Sequence, residues 1–203
     1  MSTRRKKTAR GALAVAVALF LLASCAEDEP FVPQETPIDA DQEIQEGWAL
    51  FRELDPRAAL IPFGRVADRF PADPRGHVGL GWCRIELDSI RTALEDLRTA
   101  ALLGDEPDGH AGLAVAASAL GLDSLAVAAA TRIEDPGYRF TGDPDFGYPD
   151  LLYIRALGLF HLGRYEECYA ALRTLDPAIT IDLEAYDFRE RLFRALESLR
   201  GIV

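Results

Sequence analysis

An all-α fold built from stacked helical hairpins is predicted by three observations. The segment Gly76-His-Val-Gly-Leu-Gly81 recurs 33 residues later as Gly109-His-Ala-Gly-Leu-Ala114. Large apolar residues fall at spacings of three and four through most of the chain, which places them on one face of successive helices. No stretch alternates apolar and polar residues with a period of two, so no sheet is expected. A period near 34 residues means an array of two-helix units, each burying its apolar face only against its neighbours.

The elements follow in chain order. Ile44, Gly47, Trp48, Phe51 and Leu54 make one face of a first helix, which Asp55-Pro56 ends. A shift of 34 carries Gly47 onto Gly81, Ala59 onto Ala93, Phe63 onto Leu97 and Val66 onto Ala100. The second helix contains Pro62, which removes a backbone donor and predicts a kink or a late start. Pro71-Ala-Asp-Pro74 separates it from a third helix carrying Val78, Trp82 and Ile85, followed by a fourth carrying Ile90, Leu94, Leu97 and Ala101 and ending at Gly104. A further shift of 33 carries Ala93 onto Ala126, Leu97 onto Ala130 and Ala100 onto Ile133, defining a third hairpin that turns at Gly121, with Asp123 and Ser124 suited to start its second helix. Hairpins are thus expected near residues 41–71, 74–105, 107–135 and 150–177. The segment 134–149, EDPGYRFTGDPDFGYP, interrupts the period as an inserted loop, whose Tyr138, Phe140, Phe146 and Tyr148 are expected to pack back across the helices. A ninth helix over 182–199, apolar along Phe188, Leu192, Ala195, Leu196 and Leu199 and charged at Arg189, Glu190, Arg191 and Arg194, caps the last hairpin.

The fourth copy, IRALGLFHLGRYEECYAALRTLDP, presents Ala156, Gly163, Tyr165, Cys168, Leu172, Leu175 and Pro177 at the places of a small residue, a glycine-x-tyrosine turn, a second small residue, an apolar pair and a closing proline. In this pattern the chain resembles the tetratricopeptide (TPR) repeat proteins over about residues 41–177, with Cys168 where alanine is usual. The resemblance implies a right-handed solenoid in which the first helix of each hairpin lines a concave groove. Carried over, that groove comprises Trp48, Phe51 and Arg52, then Val78, Trp82, Ile85 and Glu86, and in the fourth copy Tyr153, Leu157, Phe160 and His161. The third copy offers only Ala111, Val115, Ser118 and Ala119. Aromatics and arginine dominate binding hot spots, which makes Trp48, Phe51, Arg52, Trp82, Ile85, Tyr153 and Phe160 the candidate partner-binding residues. Periodicity leaves two readings of Trp48 and Trp82 open: groove or inter-hairpin core.

Ahead of the repeats stands a leader. Arg4, Arg5, Lys6, Lys7 and Arg10 precede the uncharged run Gly11 to Leu22, and Leu22-Ala23-Ser24-Cys25 closes it. That order is an export signal, and the apolar run is too short to span a bilayer. The ending resembles the lipobox of bacterial lipoproteins, which implies removal of residues 1–24, acylation of Cys25 and anchoring to a membrane of the cell envelope. Ala26 implies the outer membrane, facing the periplasm, if the cell has two. Residues 25–40 then comprise the lipidated cysteine and an acidic, proline-containing tether, and 41–203 the folded domain.

Charge narrows the partners. The whole chain carries −11, and the leader holds five of its 22 basic residues and none of its 33 acidic ones, leaving 17 against 33 thereafter. Nucleic-acid binding is excluded on that ground, since phosphates require a basic face. Catalytic chemistry finds no motif. Asp143, Asp145 and Asp150 around Gly147 lack the spacing and closing glutamate of a calcium hand. His77 and His110 recur with the repeat, and packed helices about 10 Å apart hold such a pair too far apart for shared ligation. Gly163 interrupts any helix joining His161 to Cys168, so no cysteine–histidine nucleophile is expected. Cys83 and Cys168 read as small buried hydrophobes, although an extracytoplasmic location permits a disulfide. No enzyme, metal or cofactor is expected. The function predicted is a membrane-anchored scaffold for a protein or peptide partner in the envelope, and the alternative is a glycan- or small-ligand-binding lipoprotein using an aromatic groove.

Overall fold

The computed structural model describes residues 39–200; the leader, Cys25 and the tether up to residue 38 lie outside them. The described residues form nine helices: α1 Ala40–Arg52, α2 Pro56–Arg69, α3 Pro74–Glu86, α4 Ile90–Leu103, α5 Pro107–Ala119, α6 Asp123–Thr131, α7 Tyr148–His161, α8 Tyr165–Leu175 and α9 Phe188–Leu199. Consecutive helices pack as antiparallel pairs, α1 with α2 through α7 with α8, and α9 lies against α7 and α8.

Helix starts are written in Asp-Pro. Asp55 accepts from Ala58 N at 3.0 Å with Pro56 in the first turn, and Asp73 accepts from Arg75 N at 3.0 Å with Pro74 in the same place. The preceding helices end at Arg52 and Arg69, just before these segments as expected, and the same dipeptides also start the next helices, because the aspartate satisfies an orphan amide and proline has none to lose. Arg75 also grips Asp73 and Asp41, each at 2.7 Å, tying α3 to α1. The Arg75 guanidinium holds the Asp73 carboxyl below its ordinary range, so this link is intact above ordinary carboxylate pH and weakens as pH falls. Of the two outcomes expected of Pro62, the late start is not seen: α2 starts at Pro56 and runs through Pro62, which is buried. The capping helix begins later than expected, at Phe188; ahead of it the chain turns, with the Asp182 carboxylate accepting from Glu184 N at 3.0 Å.

The turn inside each hairpin uses one geometry four times. Leu54, Asp88, Gly121 and Gly163 all have positive φ, at 62°, 57°, 68° and 74°. The next residue's amide closes onto a carbonyl five residues back, as in Asp55 N to Leu50 O (3.1 Å) and Arg164 N to Leu159 O (2.9 Å). Glycine adopts this region freely, whereas leucine strains there. Leu54→Gly is accordingly expected to raise stability by about 0.5–1 kcal/mol, read as an increase of about 2 °C in the thermal midpoint. An unchanged or lower midpoint would mean that the Leu54 side chain contributes more than its 88% exposure suggests.

The recurring glycines are explained by close approach of helices. A Cβ on Gly76 would stand 2.7 Å from the Ala67 backbone nitrogen, and one on Gly47 would stand 2.6 Å from the fully buried Phe63 ring. A Cβ on Gly112 would stand 2.8 Å from Leu97 Cδ2 and 3.0 Å from Trp82 Nε1. Two apolar clusters result. One runs through α1 to α6 and includes Tyr138, Phe140 and Leu151; the other joins Val127, Leu159, Cys168 and Leu172 to Leu192, Leu196 and Leu199 of α9.

Candidate partner-binding surface

The segment between α6 and α7 builds the surface. Phe140 N donates to Phe146 O (3.0 Å) and Tyr148 N to Tyr138 O (3.2 Å), so two short arms pair around a turn in which Asp143 accepts from Asp145 N (3.0 Å). Gly147 N donates to the Asp150 carboxylate at 2.7 Å, which starts α7. This strap, rather than a partner, lies against the inner faces of α1 and α3. The Phe140 ring stacks on Trp82 with centroids 3.9 Å apart and planes 21° apart, and it meets Trp48 edge-on at 5.4 Å and Phe51 at 5.9 Å. Phe146 meets Trp82 edge-on at 5.6 Å.

Polar contacts pin the strap at both sides. Asp108, in the first turn of α5, receives Tyr138 Oη at 2.8 Å and Thr141 N at 3.4 Å, while its carbonyl receives Trp82 Nε1 at 2.8 Å. Arg52 Nη1 donates to Thr141 O at 3.3 Å. Burial, then the Asp108 charge, pushes the Tyr138 phenol far above its ordinary range, so it is a fixed donor. Asp108 carried no signal in the sequence, because its role depends on a segment about 30 residues away that only folding brings to it.

The candidate residues fall into two places. Trp48, Phe51 and Trp82 are buried beneath the strap, at 8%, 7% and 4% exposure, while Arg52 is exposed and Ile85 half-buried beside it. Between the ends of α1 and α3, the middle of α5 and the strap, an open groove of about 790 Å³ remains, floored by Phe51, Trp82, Ile85, Val115, Phe140 and Phe146 and rimmed by Arg52, Leu54, Glu86 and Asp143. Tyr153 and Phe160 lie elsewhere, in the second cluster, with Phe160 edge-on to Tyr165 at 5.8 Å and 6.1 Å from Phe193. The two sets do not form one continuous surface.

The remaining reactive groups are dispersed. Cys83 and Cys168 are free and buried in different clusters, and burial pushes each thiol up to about 12, far from the thiolate that nucleophilic chemistry requires. The histidines face separate carboxylates: His110 Nε2 is 2.6 Å from Asp105, His161 Nδ1 is 3.0 Å from Asp123, and His77 Nδ1 is 3.7 Å from Asp96, which Arg84 also grips. Burial, then the Arg84 charge, lowers the His77 pKa. Among the described residues no three such ligands converge.

Known structures share this arrangement of hairpins. MamA, a TPR-like helical protein, superposes with a TM-score of 0.56 at 17% identity over 80% of this chain and 87% of its own, in the form of a point mutant. MamA MSR-1 gives 0.55 at 17% identity over 80% and 86%, and MamA AMB-1 gives 0.54 at 17% over 80% and 82%. The fold is a TPR-like solenoid. No protein-family model matches the sequence, and no curated protein matches it. The all-α, right-handed helical-hairpin solenoid with a C-terminal capping helix is thus established by the hairpin order and by these superpositions.

Proposed function

We propose that this chain is a non-catalytic, membrane-tethered scaffold that binds a protein or peptide partner in the bacterial cell envelope. The observation that carries the reading is the open, aromatic-floored groove beside the strap, held on a fold whose structural neighbours are TPR-like solenoids. Arginine and aromatic side chains around a concavity of this size are the composition of a recognition surface. The leader and Cys25 support tethering: a lipid chain on Cys25 would hold the array at the membrane, in the outer membrane facing the periplasm if the cell has two. Among the described residues no helix is long and apolar enough to cross a membrane.

A photo-crosslinking residue placed at Glu86, on the groove rim, is expected to trap a discrete protein adduct in cells, and one at the fully exposed Tyr186 is not. Cys25→Ser is expected to shift the protein out of the membrane fraction. Equal labelling at both positions, or none, would sink the groove as the binding face; unchanged membrane association of Cys25→Ser would sink the anchor.

A further inference from the structure

We propose that the groove beside the strap takes an extended peptide whose apolar side chains are flanked by lysine or arginine, with Leu54 clasping it from the rim. The proposal rests on the protein-binding reading above and names the chemistry of the partner.

Leu54 is the first observation. It is 88% exposed, stands in the left-handed region at φ 62°, and borders the groove, while the equivalent turns of the third and fourth hairpins hold Gly121 and Gly163. The fold alone favours glycine here and solubility favours a polar residue. An exposed leucine kept at a strained position is explained by a contact made outside the free chain.

Charge is the second. Arg52, the rim's cation, already donates to the strap at Thr141 O. Glu86 makes no ion pair among the described residues, and the Asp143 carboxylate accepts only the amide of its own turn. Arg52 keeps its charge while bonded to the neutral Thr141 carbonyl, so Glu86 and Asp143 outnumber it and the rim is net acidic, on a chain of net charge −11. They repel a second copy of this chain and an anionic lipid surface alike, and they attract a basic segment. Because the strap fills the inner faces of α1 and α3, the partner lies alongside the strap at the hairpin ends, and the strap is a wall of the site.

The test is a binding titration by fluorescence anisotropy with the full chain in a neutral detergent. The probe is a labelled nine-residue peptide with leucine and phenylalanine two positions apart in a serine background and two lysines at each end. It is expected to bind at least tenfold tighter than the same peptide with glutamates at the ends, and at least tenfold tighter than the one with serine in place of the apolar pair. The double variant Glu86→Lys, Asp143→Lys is expected to reverse the order of the charged peptides. Leu54→Gly is expected to weaken the lysine peptide about tenfold while raising the thermal midpoint, which separates lost contact from lost folding. Equal affinity for the lysine and glutamate peptides, binding that ignores the apolar pair, no binding of any peptide, or unchanged affinity in Leu54→Gly would each overturn the proposal. A crosslinked adduct at Glu86 alongside any of these results leaves the scaffold standing and removes only the basic-peptide chemistry.

Discussion

Phe140→Ala is expected to destabilise the protein by about 3–4 kcal/mol, lowering the thermal midpoint by about 10 °C. Phe140 is 2% exposed and its ring touches four others: Trp82 face to face, and Trp48, Phe51 and Phe146 at their edges. Truncation removes the transfer energy of the ring and leaves a hole that the neighbouring aromatics cannot collapse into, since they are fixed to α1, α3 and the strap. Each lost aromatic pair adds to that cost. Both tryptophans of the chain adjoin this ring, so their emission should shift to the red as water reaches them. A loss under about 1 kcal/mol with unshifted emission would show that the strap is held by its polar pins to Asp108 and Arg52 instead.

Gly76→Val carries the second large effect, a loss of about 3 kcal/mol measured by denaturant unfolding. The atoms that a Cβ would meet at Gly76 belong to backbone: Ala67 N at 2.7 Å and Phe63 O at 3.1 Å. No side chain can swing aside, so α2 and α3 must separate, and the packing of Phe63 goes with them. Gly64, on the neighbouring helix α2, has nothing within 4 Å of a Cβ. Gly64→Ala should therefore stabilise by about 0.5–1 kcal/mol, since glycine in a helix interior costs that much relative to alanine. Equal effects at the two positions would refute close helix approach as the reason for the repeated glycines.

Those glycines show what a single sequence discloses. Their recurrence at 33 residues revealed the array, because every hairpin solves the same packing problem and leaves the same small residues behind. Helix faces such as Trp82 with Ile85, or Leu192 with Leu196, were legible for the same reason: burial imposes a period that needs no knowledge of the neighbour. The strap was legible only as an aromatic loop. Its docking onto Trp82 and its pinning by Asp108 depend on contacts across some 30 to 90 residues, which no local period encodes. Thus Trp48 and Trp82 stayed undecided between groove and seam, and the structure gives them a third situation, floor beneath the chain's own loop. Position in the repeat groups Tyr153 and Phe160 with them, yet these two lie in the second apolar cluster, beyond the insertion between α6 and α7. Asp55 and Asp73 read as breaks in the sequence, and in the fold each, followed by proline, both closes a turn and begins a helix.

A hairpin solenoid is ordinarily a one-dimensional object, in which each unit feels only its neighbours and can fray from an end. Here one segment reaches Trp48 and Phe51 of the first hairpin, Trp82 of the second and Asp108 of the third. It acts as a chord drawn across the arc of the array. Bending that opened or closed the arc would have to tear Phe140 from its stack, so the curvature of the first three hairpins is locked and their unfolding is concerted. The fourth hairpin lies beyond the chord and is joined to the rest by packing, through Leu151 in the first apolar cluster and Val127 of α6 in the second.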